Sequence, residues 1–464
     1  MSSMETLYHK LPISLQNTAV SFEGWRIVRR RYGKGYMSSD CEVKSRDRIS
    51  LDELHAWRTK KLREFFIVAS DTVFWHQKFS DYGVNPEAKD SFRELSKLPV
   101  LTKESVKKNI EIIKNPRFDP GSVLWRHTSG TTGSGLVFPE SRETEWLTWA
   151  HWWRYRRSHG IEPSMWCGYF GGRSLVPLNI TKPPYWRINY PARQLMFSGY
   201  HLSQVTASAY LDALQKYAIG WLHGYPSMLT LLAHYLLDSG QQQALPRLRI
   251  VTTGAENLAD WQRDVINRAF GVPVFQHYGQ AEAVANFSEC EFGKMHVDED
   301  FSAVEFLDNP HDLSSKIIVG TNWLNPSFPL FRYEVGDLAM LGIEKCSCGR
   351  YGRLVKSIDG RREDYLLLPS GVRIGRLDHV FKDMINVREA QFVQRDTHSV
   401  ILRIARSSAY SDLDEQRLLK ELHQRIGGAL DVKLDYVDSI PRGKNGKLRF
   451  VLSSLDSNNC GMKI

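Results

Sequence analysis

Short apolar runs alternate with amphipathic segments between residues 221 and 276, and this alternation constrains the fold more than any other feature. The predicted strands are residues 221–223, 248–252 and 272–276, and the predicted helices are residues 226–240 and 259–270. Pro226 suits the first turn of a helix. Strands that alternate with helices form a parallel sheet, whose ligands bind beyond the carboxyl ends of the strands. Those ends carry residues 253–256 and 277–282.

The pattern changes on both sides of this segment. Residues 1 to about 100 predict mostly helices, one of them opened by a capping box at Ser50 and Glu53, and Ser203 is expected to cap another through residue 217. Beyond residue 361, strands at 399–404 and 432–437 flank an amphipathic helix at 412–426. We therefore predict an α/β fold with a large N-terminal domain, 1–360, containing parallel sheets, and a small α+β domain, 361–464.

Composition excludes several classes of protein. The 464 residues have a net charge of +9, but only Arg29, Arg30 and Arg31 form a dense basic cluster, so a nucleic-acid partner is not expected. The charge fits a solvated surface, or an enzyme that attracts ATP and an acidic substrate. There is no apolar stretch of about 18 residues and no signal-peptide core. With only six cysteines, the chain is expected to be cytoplasmic.

A loop of small hydroxyl residues and glycines lies between two predicted short strands. It comprises Ser129, Gly130, Thr131, Thr132 and Gly133. Glycines let the backbone approach an anion closely, and hydroxyls with backbone N–H groups can hold phosphates. Because no helix follows directly and no Gly-Lys-Ser/Thr ending is present, the loop alone is also compatible with a plain turn.

Four further segments have side chains suited to a nucleotide. Tyr278 could stack on adenine, Glu282 could hold Mg²⁺, and the Asp337 carboxylate could accept the ribose hydroxyls. Residues 360–374 carry a charged segment at the predicted domain boundary. Lys447 lies on a glycine-containing loop near the C-terminus.

The order and spacing of these five segments resemble the adenylate-forming superfamily of acyl-CoA synthetases, nonribosomal adenylation domains and luciferases. The resemblance covers nearly the whole chain. It is closest to the phenylacetate–CoA ligase-like branch, which includes capsular-polysaccharide-biosynthesis members, and it rests there on residues 11–17, 186–189, 197–202 and 224–227.

The resemblance implies a role for each matched position. Residues 129–133 would form the phosphate loop, Glu282 would coordinate Mg²⁺, and Asp337 would bind the ribose. Arg373 would approach the phosphates or ribose, and Lys447 would stabilise charge on the reacting carboxylate and α-phosphate. The residues implied to surround adenine are Gly254, Ala255, Glu256, His277, Tyr278 and Gly279.

The resemblance also implies a mobile C-terminal lid, with Glu363 at the hinge. Two positions depart from the superfamily pattern. Ala281 stands where a threonine commonly meets the AMP phosphate, and alanine has no hydroxyl to make that contact. Ser134 and Gly135 stand where many relatives have lysine and proline, which predicts a more flexible and less charged loop.

The expected reaction joins a carboxylic acid to ATP as an acyl-AMP, releases pyrophosphate, and passes the acyl group to coenzyme A. An amine acceptor, giving an amide, is the alternative. A non-catalytic nucleotide-binding protein is disfavoured because Lys447, Glu282 and Asp337 are all retained. No general base is needed for activation, since the carboxylate is already ionised.

The identity of the acid is not readable from the sequence. Tryptophans and tyrosines between residues 146 and 225 are compatible with an aromatic or acyl pocket. For His223, a strand residue with a satisfied hydrogen bond is favoured over a role in the site. Arg173 could equally well contact an acidic substrate or form a surface ion pair.

Three cysteines and one histidine form a second candidate site. Cys290, His296, Cys346 and Cys348 are a suitable tetrahedral set for one structural Zn²⁺. The C-x-C spacing is tighter than usual, so a buried Cys290 with the other three residues on a loop is an equal alternative. His296 could instead face the acyl pocket.

Overall fold

The protein is described from a computed structural model. The structure describes residues 3–47, 49–128, 135–172, 175–177, 179–241, 245–310, 312–343, 345–361, 365–370, 373–374, 377–381, 386–426, 428–443 and 447–455. Within these ranges, no helix has the length and apolar character needed to cross a membrane. The cytoplasmic location stays a prediction.

The helices are concentrated in the N-terminal third and then recur between strands. Their bounds are α1 Ser3–Lys10, α2 Ile13–Arg31, α3 Lys34–Ser45, α4 Leu51–Ala69, α5 Val73–Asp81, α6 Ser91–Lys97, α7 Lys103–Lys108, α8 Ile110–Ile113, α9 Arg142–Ser158, α10 Ala207–Lys216, α11 Pro226–Asp238, α12 Asp260–Phe270 and α13 Asp412–Ile426. Short 3₁₀ turns occupy Gly199–His201 and Leu377–Phe381.

The strands begin after the first eight helices. Their bounds are β1 Leu124–His127, β2 Val137–Glu140, β3 Cys167–Gly171, β4 Trp186–Asn189, β5 Gln194–Ser198, β6 Trp221–Gly224, β7 Ile250–Gly254, β8 Val274–Gly279, β9 Asn286–Glu289, β10 Met295–Val297, β11 Ala303–Asp308, β12 Lys316–Thr321, β13 Tyr333–Gly342, β14 Leu354–Arg361, β15 Leu366–Leu367, β16 Arg373–Ile374, β17 Val387–Gln394, β18 Ser399–Arg406, β19 Asp431–Val437 and β20 Val451–Ser453.

The chain divides into two compact units. Unit 1 comprises Met1–Val28, Glu162–Gln276 and Arg362–Ile464, and unit 2 comprises Arg29–Ile161 and His277–Arg361. Unit 1 thus combines the C-terminal segment with the strand–helix repeat. The functional division into domains 1–360 and 361–464 stays a prediction.

Unit 1 contains the predicted parallel sheet. Strand β3 pairs in parallel with β5 and β6, β6 pairs in parallel with β7, and β4 adds an antiparallel edge on β5. The C-terminal segment forms a second sheet in the order β19-β18-β17-β20. Helix α11 is the most buried helix of this unit: every residue from Pro226 to Leu236 is buried. An α-helix that is apolar on all sides must lie in a core, which explains its place.

Unit 2 is mostly antiparallel. Its strands follow the order β8-β9-β10-β14-β13-β12-β11, and β1 and β2 form a separate hairpin. Its apolar core includes Phe287, Ile318 and Ala339, none of which exposes measurable surface.

Most local predictions are confirmed, because their signals act over a few residues. Ser50 and Glu53 form both hydrogen bonds of the capping box at α4. Helix α13 matches its predicted bounds and buries Leu418, Leu422 and Ile426 on one face. The predicted α/β class with a large sheet containing parallel strands is confirmed.

Several element boundaries differ from their predictions, for example β7, which spans Ile250–Gly254 instead of residues 248–252. Helix α10 begins at Ala207, since the Ser203 backbone N–H donates to the Thr206 hydroxyl at 2.9 Å in the turn before it. Strand β8 continues to Gly279 instead of ending at residue 276, because His277 and its two successors pair with β9. Pairing with β9, which follows after a short connection, lengthens β8, and the periodicity of β8 alone does not reveal that pairing.

Candidate active site

The carboxyl end of β7 carries the predicted Gly254, Ala255 and Glu256. Ala255 has a φ of 67°, a left-handed conformation that costs a residue with a Cβ about 1 kcal/mol or more. Glu256 accepts hydrogen bonds from two backbone N–H groups, from Ser227 at 3.2 Å and from Leu448 at 3.1 Å. This carboxylate therefore joins the start of α11 to the chain directly after Lys447.

Lys447 points at this strand end. Its Nζ donates to the carbonyl oxygen of Ala255 at 2.7 Å and lies 5.7 Å from the ring centroid of Tyr225, within cation–π range. Burial raises the pKa of Tyr225 to about 12, so its phenol stays neutral near pH 7. The structure thus brings together Lys447 and the predicted segment 254–256, which are almost two hundred residues apart in sequence.

Arg442 makes two contacts near this strand end that the sequence did not predict. Its guanidinium donates to the Ser227 hydroxyl at 2.6 Å and forms an ion pair with Glu389. The side chains of Arg442 and Glu389 are 10% and 2% exposed. Charged side chains are rarely buried unless they are paired, and Arg442 is paired with Glu389. In the sequence, the available signal for Arg442 was its position five residues before the predicted lysine.

In unit 2, Tyr278 and Asp337 are in direct contact. The Tyr278 hydroxyl donates to Asp337 Oδ2 at 2.6 Å, and its ring stacks on Phe287 with centroids 4.8 Å apart. Gly336, which precedes Asp337, has a φ of 81° that glycine adopts readily. The two residues predicted to contact adenine and ribose therefore lie side by side.

His277 has a different environment. Its ring packs against Tyr155 and Trp152, with centroids 5.2 and 5.9 Å away. Loss of hydration lowers the pKa of its imidazole to about 4, so the ring is neutral near pH 7. The His277 side chain therefore packs β8 against α9. Gly279, the last residue of β8, is exposed.

Glu282 lies on the turn after β8 and is 9% exposed. The Tyr333 hydroxyl donates to Oε1 of Glu282 at 3.5 Å. The backbone carbonyl oxygen of Glu282 accepts from the Asn322 side-chain amide at 3.1 Å. Ala283, the next residue, has a φ of 56°. A buried carboxylate on a constrained turn suits Mg²⁺, which proteins bind through one or two carboxylates together with substrate phosphates.

Several predicted site residues fall outside the described residues or are described only in part. Ser129, Gly130, Thr131, Thr132, Gly133, Arg173 and Glu363 lie outside them. The two strands predicted on either side of the loop are present, and His127 pairs with Val137 across β1 and β2. Arg373 pairs with Leu367 between β16 and β15. His223 shares a hydrogen bond of 2.9 Å with the Thr252 hydroxyl, in agreement with a strand residue.

The Cys/His set is brought together in unit 2. The Sγ atoms of Cys290 and Cys346 are 3.6 Å apart, and Cys348 Sγ lies 3.3 Å from His296 Nε2. All four ligand atoms lie within 4.8 Å of one another. A turn with Gly293 at φ 71° links Cys290 at the end of β9 to His296 in β10.

Known proteins resemble this chain along nearly its whole length. Residues 366–454 match the family model of the CapK C-terminal domain. The chain is 27% identical to Protein CapK of Staphylococcus aureus, over 97% of this chain and 99% of that protein. It is 22% identical to phenylacetate–coenzyme A ligase of Thermus thermophilus, over 86% of this chain and 96% of that protein. The chain is a homologue of both proteins.

A solved structure shows the same fold. The crystal structure of 2-hydroxyisobutyryl-CoA ligase in the postadenylation state, in complex with 2-HIB-AMP, superposes with a TM-score of 0.68. The identity is 19%, and the match covers 88% of this chain and 91% of that one. Together with the two sequence relatives, this match confirms the predicted resemblance to adenylate-forming, acid–CoA ligase-like enzymes.

Proposed function

We propose that the chain activates a carboxylic acid with ATP, forms an acyl-AMP and releases pyrophosphate. The contact between Lys447 and Ala255 carries the proposal. A lysine on a C-terminal loop reaches the carboxyl end of a parallel strand, where ligands of such sheets bind. Its ammonium donates to a backbone carbonyl oxygen, and substrate oxygens are acceptors of the same kind.

The chemistry requires charge neutralisation more than proton transfer. The substrate carboxylate is ionised, so attack on the α-phosphate needs no base, but pyrophosphate departs with additional negative charge. Lys447 would stabilise this charge, and fixed donors that act on developing charge are among the largest contributions to catalysis. Mg²⁺ held by Glu282 would neutralise the phosphates when bound.

Adenosine recognition is assigned to the Tyr278–Asp337 pair. An ionised carboxylate accepts several hydrogen bonds, so Asp337 can bind Tyr278 and ribose hydroxyls together. The phenyl ring of Tyr278, stacked on Phe287, offers a fixed aromatic edge to the base. We propose a role in adenine binding for Gly254, Ala255 and Glu256 of unit 1 and for His277 and Gly279 of unit 2, and Arg373 would approach the phosphates or ribose.

Coenzyme A is the proposed acceptor. The support is the homologous phenylacetate–coenzyme A ligase, which is similar over 86% of this chain. An amine acceptor is the alternative outcome of the same experiment.

The experiment is a pyrophosphate-release screen over carboxylic acids, with coenzyme A, amines or no acceptor. On an accepted acid, Lys447→Ala should slow adenylate formation about 10²–10³-fold and leave ATP binding nearly unchanged. Lys433→Ala is the matched control, because that side chain is 69% exposed on β19. Unchanged pyrophosphate release in Lys447→Ala would remove the lysine from the mechanism. If product forms only with amines, the acceptor is an amine and not coenzyme A.

We also propose that Cys290, His296, Cys346 and Cys348 hold one structural Zn²⁺. A tetrahedral zinc with Zn–S bonds of about 2.3 Å places its sulfurs about 3.8 Å apart, and a sulfur and a nitrogen about 3.6 Å apart. Two of the separations, 3.6 Å and 3.3 Å, are close to these values, and all four ligand atoms lie within 4.8 Å of one another. Four protein ligands leave no open position, so the metal would tie the β9–β10 hairpin to the loop after β13.

Metal analysis tests this proposal directly. Protein purified without added metal should contain about one zinc per chain, and Cys346→Ser should lower both the zinc content and the melting temperature. Cys41→Ser, at an exposed thiol of the same unit, is the control and should retain both. Metal-free wild-type protein whose melting temperature does not rise with added zinc would refute the site.

A further inference from the structure

Gln280 lies directly after β8, and both ends of its side-chain amide are engaged. Its Oε1 accepts the backbone N–H of Ala285 at 3.2 Å, and its Nε2 donates to the Tyr278 hydroxyl. A backbone N–H can only donate, so the amide oxygen must face Ala285 and the NH₂ group must face Tyr278. The orientation of this amide is therefore determined by its partners.

This orientation also determines the direction of the next hydrogen bond. The Tyr278 hydroxyl carries one proton, and its lone pair receives the Gln280 donor. Its own proton is consequently directed at Asp337 Oδ2, 2.6 Å away. Three hydrogen bonds thus run in one direction, from the Ala285 N–H through Gln280 and Tyr278 to the Asp337 carboxylate. Hydrogen bonds in such a chain polarise and strengthen one another.

We propose that Gln280 is a positioning residue that acts through Tyr278 to align the Asp337 carboxylate for the ribose hydroxyls of ATP. This inference rests on the proposed function, because it requires ATP as the ligand. An ionised carboxylate has about four acceptor positions. By holding one carboxylate oxygen, Tyr278 fixes where the remaining acceptor positions point, and the ribose 2′-hydroxyl is the group that would sense this alignment.

A double-mutant cycle tests the proposal. Equilibrium binding and KM are measured for ATP and 2′-deoxy-ATP with wild type, Gln280→Leu, Tyr278→Phe and the double variant. Each single variant should weaken ATP binding on the order of tenfold, with a smaller loss for 2′-deoxy-ATP, and in Gln280→Leu the loss should appear in KM more than in kcat. The double variant should lose no more than either single variant, because both remove the same alignment.

Two further variants make the result specific. Gln280→Glu keeps the side-chain shape and the Ala285 contact but cannot donate, so the Tyr278 proton would turn toward it and away from Asp337. It should lower the ratio of 2′-deoxy-ATP to ATP dissociation constants as Gln280→Leu does. Gln77→Leu, which removes an exposed glutamine bonded to Asp81, should leave that ratio unchanged.

The outcomes separate this inference from the proposed function. Wild-type protein that binds no ATP overturns both. Wild-type protein that binds ATP, with Gln280→Leu retaining full discrimination against 2′-deoxy-ATP, overturns only the positioning role. Additive losses in the double variant would likewise overturn it, since Gln280 would then act independently of Tyr278.

Discussion

Replacing Asp238 by asparagine should destabilise unit 1 by an amount that the structure allows us to work out. Asp238 is the last residue of α11 and forms an ion pair with Arg388, a residue 150 positions away in β17. It also accepts a hydrogen bond from the Ser408 hydroxyl at 2.9 Å. Both side chains of the ion pair are 10% exposed, and the Arg388 guanidinium lies 5.0 Å from the Tyr235 ring centroid.

Two effects of opposite sign contribute to the expected change. Removing one partner of a buried ion pair costs about 3–5 kcal/mol, because the other charge is left buried without compensation. A carboxylate at a helix C-terminus is itself unfavourable by about 0.3–1 kcal/mol, and asparagine relieves that repulsion. We therefore expect Asp238→Asn to lower the free energy of unfolding by about 2–5 kcal/mol.

Urea denaturation followed by tryptophan fluorescence measures this loss. Asp212→Asn, at an exposed position on α10, is the control and should change stability by less than about 0.5 kcal/mol. Combining Asp238→Asn with Arg388→Gln should cost clearly less than the sum of the two single changes. A loss below about 1 kcal/mol for Asp238→Asn, with full additivity in the double variant, would refute a stabilising ion pair.

Two other perturbations have expected outcomes. Glu363→Pro should impair acyl transfer more than adenylate formation, since the resemblance places a hinge there; equal loss of both steps in a folded variant, measured by pyrophosphate release and thioester formation, would count against it. His234 is buried, and burial lowers its pKa to about 4, so the unfolded chain binds more protons below its usual pKa of 6.5. The contribution of neutral His234 to the free energy of unfolding should therefore be fully present above pH 6.5 and fall by up to about 3 kcal/mol as the pH drops to 4. His234→Leu should abolish that part of the pH dependence in urea titrations. An unchanged dependence would exclude His234 as its source.

How far the sequence could predict this molecule depended on the range of the interactions involved. The capping box at Ser50 and Glu53 and the apolar face of α13 are set by neighbours within one or two turns; the start of α4 and both ends of α13 were predicted. The left-handed Ala255 carries no local signal, because the conformation depends on tertiary contacts around the end of β7.

The candidate site divides in the same way. Spacing and resemblance led to the prediction of Lys447 and Asp337, and ligand chemistry led to the prediction of the four zinc ligands, although their C-x-C spacing is tighter than usual. Gln280 has no such signal: its significance depends on an amide whose two ends meet Ala285 and Tyr278 only after β8 and β9 have paired. A side chain whose role is to orient another side chain can be found only once the partners are in place.

The contacts along α11 bear on the predicted rotation of the C-terminal part. At the start of this helix, Ser227 bonds Arg442 and Glu256, and at its end Asp238 bonds Arg388. Thirteen residues of helix span about 20 Å, so the C-terminal segment is held at two widely separated points. A rotation that withdraws Lys447 from Ala255 also breaks the ion pair at the far end of the helix, unless its axis passes through Asp238 and Arg388. Loss of that ion pair should therefore weaken the Lys447-engaged arrangement, and Asp238→Asn should slow adenylate formation although Asp238 lies a full helix length from the reacting atoms.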